Sequence, residues 1–196
     1  MKNYLKLGAV LILGTVLFAC GGDTQEEQTQ SMPGMSAKKA AGELTYTAPE
    51  EWIQHPPMSQ MRKDQYMMPG VDGKESAELV VYYFPEMSGM VQANLDRWYG
   101  QLTQPDGSDT ASKAKISTVQ VDNIEVTTVY VTGTYMKPQN PMQMTGPKDE
   151  LPGYAMLAAI VETEGGPWFF KATGPDETLT HWRPTFDQFI KTFKMK

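Results

Sequence analysis

The sequence predicts an α+β domain, an antiparallel sheet of about six strands flanked by two amphipathic helices. Three observations predict it. Short runs rich in β-branched and aromatic residues, among them Ala77–Phe84 (AELVVYYF) and Trp168–Ala172 (WFFKA), are separated by turn signals. Two joins, Asp122-Asn123 and Gly165-Gly166, are short enough for hairpins. Two stretches, 90–102 and about 177–194, repeat their apolar residues at helical spacing. Strands that follow one another through hairpins make an antiparallel sheet, whereas a doubly wound parallel sheet needs a helix between each pair.

The elements follow in order. Leu44–Thr47 alternates and forms a strand that Pro49 ends. Met61–Met68 forms a strand ended by Pro69-Gly70, and Ala77–Phe84 forms the next. Val91, Leu95, Trp98 and Leu102 lie on one face of a helix, and residues 103–113 (TQPDGSDTASK) form a loop. Lys115–Val121 and Ile124–Tyr135 pair through the Asp122-Asn123 turn. Residues 137–152, with four prolines, read as a long loop. Tyr154–Thr163 is nearly all apolar, as a central strand buried on both faces would be. The closing helix gathers Trp182, Phe186, Phe189, Ile190 and Phe193 on one face, and Pro184 suits only its first turn.

Residues 1–20 read MKNYLKLGAVLILGTVLFAC. Lys2 and Lys6 precede an uncharged apolar run from Leu7 to Ala19. Such a run suits the core of a secretory signal and is short for a membrane-spanning helix, which needs about 20 apolar residues. Leu17-Phe18-Ala19-Cys20 resembles the lipobox of bacterial lipoproteins. The resemblance implies cleavage after residue 19, a diacylglycerol on the Cys20 sulfur and three acyl chains in all. Gly rather than Asp at position 21 fits sorting to the outer membrane of a Gram-negative cell, with the domain facing the periplasm. An uncleaved anchor and an ordinary signal cut elsewhere are the alternatives. Against both, Cys20 is the single cysteine and sits where the apolar run ends. A lone thiol in an oxidising compartment forms no internal disulfide and is capped by acylation. Two or more chains hold a protein stably on a membrane where one holds it marginally.

Losing residues 1–19 removes two lysines and no acid, so the formal charge moves from −6 to −8. An acidic chain without a basic patch is a poor ligand for nucleic acid or anionic headgroups. Residues 20–42 beyond the cysteine are polar and small apart from Met32 and Met35, too poor in apolar surface to offset their ordering entropy. They read as a lipidated flexible tether, and 43–196 as one globular domain.

The order of elements also resembles the Mog1/PsbP-like family. The resemblance rests on LTYTAPEEW (44–52), on the AELVVYYF strand with a helix after it, on the hairpin strand ending WFFKATGP (168–175) and on the aromatic closing helix. It implies an α/β/α sandwich and a protein-binding or assembly role rather than catalysis. No binding residue of the family carries over by position.

The chemistry-bearing motifs are few. The sequence holds no GxSxG, HExxH, P-loop, GxGxxG or CxxC pattern. His55 lies before Pro56-Pro57 in a loop, and His181 near the start of the last helix. Both read as surface or helix-terminal residues. Lys171, inside an aromatic strand, is either a buried charge with a function or, more commonly for such a residue, a side chain pointing to solvent from a half-buried strand. An enzyme site would need scattered carboxylates, tyrosines and lysines to converge, so no enzyme is expected. Methionine is frequent, with 14 residues, several in pairs. Its thioether is a soft ligand suited to Cu(I) and needs no deprotonation. Met58 and Met61, Met142 and Met144, with His55, are the candidate Cu(I) ligands. Methionine is also an adaptable core filler and a common residue on promiscuous binding surfaces. The loops at 55–75 and 137–152 are the candidate surfaces for an envelope protein partner. Replacing Cys20 by Ala is expected to abolish incorporation of labelled palmitate and to release the chain from the membrane fraction. Label retained by that variant would exclude Cys20 as the lipidated residue.

Overall fold

The computed structural model describes residues 42–85, 87, 89, 91–140 and 146–196. The signal segment, Cys20, nearly all of the tether, Met142 and Met144 lie outside the described residues. The elements are β1 (Leu44–Thr45), β2 (Ile53–His55), β3 (Asp64–Met68), β4 (Ala77–Tyr83), α1 (Val91–Tyr99), β5 (Leu102–Thr103), a 3₁₀ turn at Ala111–Lys113, β6 (Lys115–Val121), β7 (Ile124–Pro138), β8 (Lys148–Thr163), β9 (Gly166–Pro175), α2 (Asp176–Ile190) and β10 (Lys194–Met195). Eight strands form one sheet in the order β2-β3-β4-β9-β8-β7-β5. β6 joins β7 on the same side as β5. Every pairing is antiparallel.

Strand β9 shows how the sequence builds two layers on this sheet. Successive side chains of a strand point to opposite faces. Trp168, Phe170 and Ala172 therefore share one face, and Phe169 and Lys171 the other. Phe170 meets Phe189 at 5.6 Å and Phe193 at 4.6 Å, so α2 and the turn after it cover the first face. Phe169 meets Trp98 edge-on at 5.4 Å, so α1 covers the second. The two helices lie on opposite faces, which makes an α/β/α sandwich. Between them β8 is buried from Ala155 to Val161 without interruption, as its apolar sequence requires. The α2 face carries the larger core, in which Leu44, Trp52, Leu79, Val81, Phe170, Phe186 and Phe193 pack together.

The ladder of β1 with β10, Leu44 opposite Met195 and Thr45 opposite Lys194, closes the chain ends beside that core. Glu43 N–H donates to the Lys196 carbonyl and Lys196 N–H to that of Glu43. Tyr46, just beyond β1, sets its ring edge-on to Phe170 at 5.0 Å and Phe189 at 5.7 Å.

Several expectations need correction. Both ends of the stretch 137–152 are paired rather than looped: Tyr135, Met136, Lys137 and Pro138 of β7 stand opposite Leu151, Glu150, Asp149 and Lys148 of β8, and residues 141–145 lie outside the described residues. Pro152 fits into this long strand because the register shifts there, with Pro152 and Gly153 both opposing Thr134. The extra residue is a β-bulge, and Gly153 takes the φ of +73° that it needs. Met61 lies in the turn before β3, which starts at Asp64, and His55 ends a short strand rather than sitting in a loop. The turn before β9 is centred on Glu164-Gly165, and Gly166 already pairs with Thr163. Gly166 has φ +128°, and a Cβ there would stand 2.1 Å from the Phe84 carbonyl oxygen.

Pro184 lies well inside α2, not in its first turn, and α2 ends at Ile190. A proline there removes one helical hydrogen bond. Burial of Trp182, Phe186, Phe189 and Ile190 against the sheet carries the helix across it. The sheet has more strands than expected because β2 and β5, only two or three residues long, join it, while β1 pairs apart from it with the equally short β10. Among the described residues no helix is long and apolar enough to cross a membrane. Phe170→Ala is expected to cost about 3–5 kcal/mol of stability, the range for emptying a fully buried aromatic site. Urea denaturation of the full chain measures it.

Candidate functional site

Helix α1 is nine residues long and cannot cover its whole face of an eight-stranded sheet. Leu95 and Trp98 are buried, with Trp98 packed over Phe169. Beyond the helix the same face continues as a cleft of about 580 Å³. Its floor is Glu78 and Val80 of β4 with Lys171 and Thr173 of β9, neighbours across one ladder. One wall is the β2–β3 turn, with Met58 and Arg62. The other is the bent outer part of the β7–β8 hairpin, with Tyr135, Lys137, Leu151 and Tyr154. Gln101, which follows α1, closes the end nearest the helix. The bulge at Pro152–Gly153 shapes the second wall, because a bulge bends its strand.

A hydrogen-bond network holds the first wall to the floor. Arg62 Nη1 donates to Gln65 Oε1 at 2.8 Å and to Glu78 Oε1 at 3.1 Å. Gln65 Nε2 donates to the same Glu78 oxygen at 2.7 Å, and Met58 N–H to Gln65 Oε1 at 3.3 Å. On the opposite wall the Tyr135 and Tyr154 rings stack with centroids 6.0 Å apart, and the Tyr154 hydroxyl donates to Glu75 Oε2 at 2.6 Å. Burial raises the hydroxyl pKa of Tyr82 and Tyr135. Burial and the Glu75 carboxylate raise that of Tyr154 to about 12. At neutral pH these tyrosines are protonated and serve as donors and ring surfaces, not as bases.

Lys171 lies at the centre of the floor. Its ammonium donates to Gln101 Oε1 and sits 5.4 Å from the centre of the Trp98 ring. The expectation that it points to solvent is corrected: β9 is an inner strand, and its second face lies under α1 and the cleft. Desolvation first, then the positive charges of Arg97 and Arg62, bring its pKa down to about 7. Glu78 opposes the shift.

Of the candidate Cu(I) ligands, His55 and Met58 line one shallow hollow of about 440 Å³, together with Met67. Met61 does not line it and stands 61% exposed. Met58 borders both this hollow and the cleft. A further hollow of about 600 Å³ lies on the other side of α1, formed by Tyr99 and the loop through Gln104, Ser108 and Asp109. The sequence reading missed Arg62, Glu78, Tyr82, Tyr135 and Tyr154 and misplaced Lys171. The available signal was one charged residue in each of two otherwise apolar strands, Glu78 in AELVVYY and Lys171 in WFFKA. Such residues become neighbours if the strands pair.

No family model matches the sequence, and no curated protein does. Three solved structures are similar in chain path. PA94 from Pseudomonas aeruginosa, a protein of unknown function, shares 13% identity over 79% of this chain and 99% of that one, with a TM-score of 0.45. The cyanobacterial PsbP of Synechocystis sp. PCC 6803 shares 12% over 85% and 99%, with a TM-score of 0.44. LpqN of Mycobacterium tuberculosis, described as involved in cell envelope biogenesis, shares 10% over 82% and 90%, with a TM-score of 0.44. The residues of the cleft, not these likenesses, carry the functional reading.

The depressed pKa of Lys171 has a consequence for stability. Between about 7 and the ordinary value of 10.5 the unfolded chain binds more protons at this site than the folded one. Its contribution to stability therefore rises with pH across that window. Lys171→Met is expected to remove that rise, visible as a flatter profile of urea midpoints from neutral pH upward. An unchanged profile would mean that Lys171 titrates at its ordinary pKa.

Proposed function

We propose that this chain is a lipid-anchored envelope protein, held through Cys20, whose domain is a non-enzymatic module that captures a protein partner at the cleft. The observation that carries this reading is the part of the sheet face that α1 leaves uncovered. It is walled by Tyr82, Tyr135, Tyr154, Met58 and Arg62. Aromatic residues, Met and Arg are the types enriched at protein interfaces, and fixed tyrosines give contact area at little entropic cost. The walls also replace the loops that the sequence offered as contact surfaces. The hairpin supplies paired, held backbone where a loose loop was expected. The lipobox-like Leu17-Phe18-Ala19-Cys20 supports the anchor, and Gly21 supports an outer-membrane, periplasm-facing address in a Gram-negative cell. The acidic charge fits a partner other than nucleic acid.

The test uses the full chain in its own membrane, with a photoreactive residue in place of Tyr135 and, separately, of Lys115 on the distant edge strand β6. The expected result is a discrete adduct with one envelope protein from position 135 and none from 115. Tyr154→Ala should weaken that capture about tenfold, the effect of losing one modest interface anchor. Equal labelling from both positions, or none from either, would exclude the cleft as the contact surface.

A second reading keeps Cu(I), because His55, Met58 and Met67 share one hollow. Softness of the thioether and a neutral imidazole suit that ion. An anaerobic Cu(I) competition titration should then show binding that Met58→Leu weakens. Identical affinity in that variant would remove the hollow as a site.

A further inference from the structure

We infer that the cleft is a carboxylate-recognition site, in which the Lys171 ammonium pairs with a single carboxylate whose apolar or aromatic body lies between Tyr82 and the Tyr135–Tyr154 stack. This rests on the reading of the cleft as the binding surface and names the chemistry recognised there.

The first argument counts donors. An ammonium has three N–H donors. One goes to Gln101 Oε1 and the charge also rests on the Trp98 face. No other hydrogen bond and no ion pair of this amine is present among the described residues. The main chain of Gln101 is fixed, since its backbone carbonyl accepts from Met136 N–H at 2.9 Å and its backbone N–H donates to the Trp98 carbonyl at 3.0 Å. The amine is therefore held in place with donor capacity left toward the cleft.

The second argument concerns the acids that could have neutralised it. Glu78 is a diagonal neighbour of Lys171 across the β4–β9 ladder, but one of its oxygens receives both Arg62 and Gln65. Glu75 accepts from Tyr154. Each cleft acid already has a hydrogen-bond partner, and Lys171 forms no ion pair with either among the described residues, Glu78 acting on it only through space. An unpaired charge away from bulk water is costly, and an incoming anion would offset that cost.

The third argument selects the anion. One uncommitted, half-buried cation matches one negative charge. Lys137 stands exposed at the mouth, where solvent screens it, while Glu75 on the wall side and Glu78 on the floor disfavour a doubly charged phosphate. The volume of about 580 Å³ lies in the range of small-ligand sites and also admits one side chain or chain end. The remaining charged groups around the amine are Arg97 from α1 and Arg62 from the β2–β3 turn, and both favour an anion.

The carboxylate could belong to a free organic acid or to the end of a partner chain. The experiment uses the full chain in zwitterionic detergent, with benzoate, neutral benzamide, and Gly-Gly-Phe as free acid and as C-terminal amide. Binding is followed by calorimetry and by the NMR signal of the Lys171 ammonium. Benzoate should bind one-to-one and benzamide should not. Affinity should fall about tenfold between about pH 6 and pH 8, following the charged fraction of an amine with pKa about 7. Benzoate should shift the Lys171 signal in the unmodified protein, a readout independent of any variant. Lys171→Met should lose binding and Lys171→Arg should retain part of it. Competition by the free-acid peptide but not its amide identifies a chain end as the source, and benzoate binding without peptide competition identifies a free acid. Equal binding of benzoate and benzamide, pH-independent affinity, or an unmoved Lys171 signal overturns the inference. Adducts at position 135 that persist in Lys171→Met and in saturating benzoate would overturn it while leaving the cleft as the partner surface. Absence of those adducts would end the partner reading, and the benzoate titration would still decide this one.

Discussion

The alternation of side chains along β9 is the constraint on which the rest of the structure depends. In Trp168-Phe169-Phe170-Lys171-Ala172 the strand sends two aromatic rings and a small residue to one face, and one aromatic ring and a cation to the other. The first face is apolar enough to seat α2 and the turn carrying Phe193 over its full width. The second is not. Phe169 seats Trp98 and with it α1, and two residues along the strand a lysine stops the apolar surface. Helical cover ends there, and the sheet is left open beyond it. Core and cleft are thus two outcomes of one strand with a two-residue period.

The open face is kept open by its walls. A flat, bare sheet face would invite collapse of a neighbouring loop or association with another molecule. Here Arg62 and Gln65 tie the β2–β3 turn to Glu78, and the Pro152–Gly153 bulge bends the opposite hairpin. The concavity is therefore built from hydrogen-bonded side chains on one wall and paired backbone on the other, so the geometry exists before anything binds. Preorganisation of this kind saves the ordering cost that a loose loop would incur on binding.

Much of the fold was legible in the sequence. The β6–β7 turn sits at Asp122-Asn123, Asp122 taking φ +51°, and β8 is buried on both faces. The two helices follow their apolar spacing as far as Trp98 and Ile190, but α1 ends at Tyr99, so Leu102, expected on its face, lies in β5, and Phe193 lies in the turn after α2. The illegible parts have physical causes. Strands β2, β5 and β10 are too short to show a period. Pro152 looked like a strand breaker because the bulge that accommodates it depends on the register of a partner strand. The cleft was hidden for a similar reason, since its residues run from Met58 to Thr173 and meet only once the strand order is known. Lys171 was visible as an oddity, but whether it faces solvent or a cleft depends on how far a distant nine-residue helix reaches. His55 and Met58 do share a hollow, whereas Met61 stands exposed and does not line it, a distinction that spacing in sequence cannot make.

The pairing of β1 with β10 gives the domain a mechanical weak point. The ladder is two residue pairs long, against ten between β8 and β9. Tension arriving along the chain from upstream acts first on the Glu43–Lys196 bonds, which open one after another as a zipper does, without loading the long strands together. Opening the ladder draws Leu44 out of the core on the α2 face, while the β4–β9–β8 ladders, to which β1 is not bonded, stay paired. The seam yields before the sheet, and the chain can lengthen by the few residues of β1 without losing the cleft.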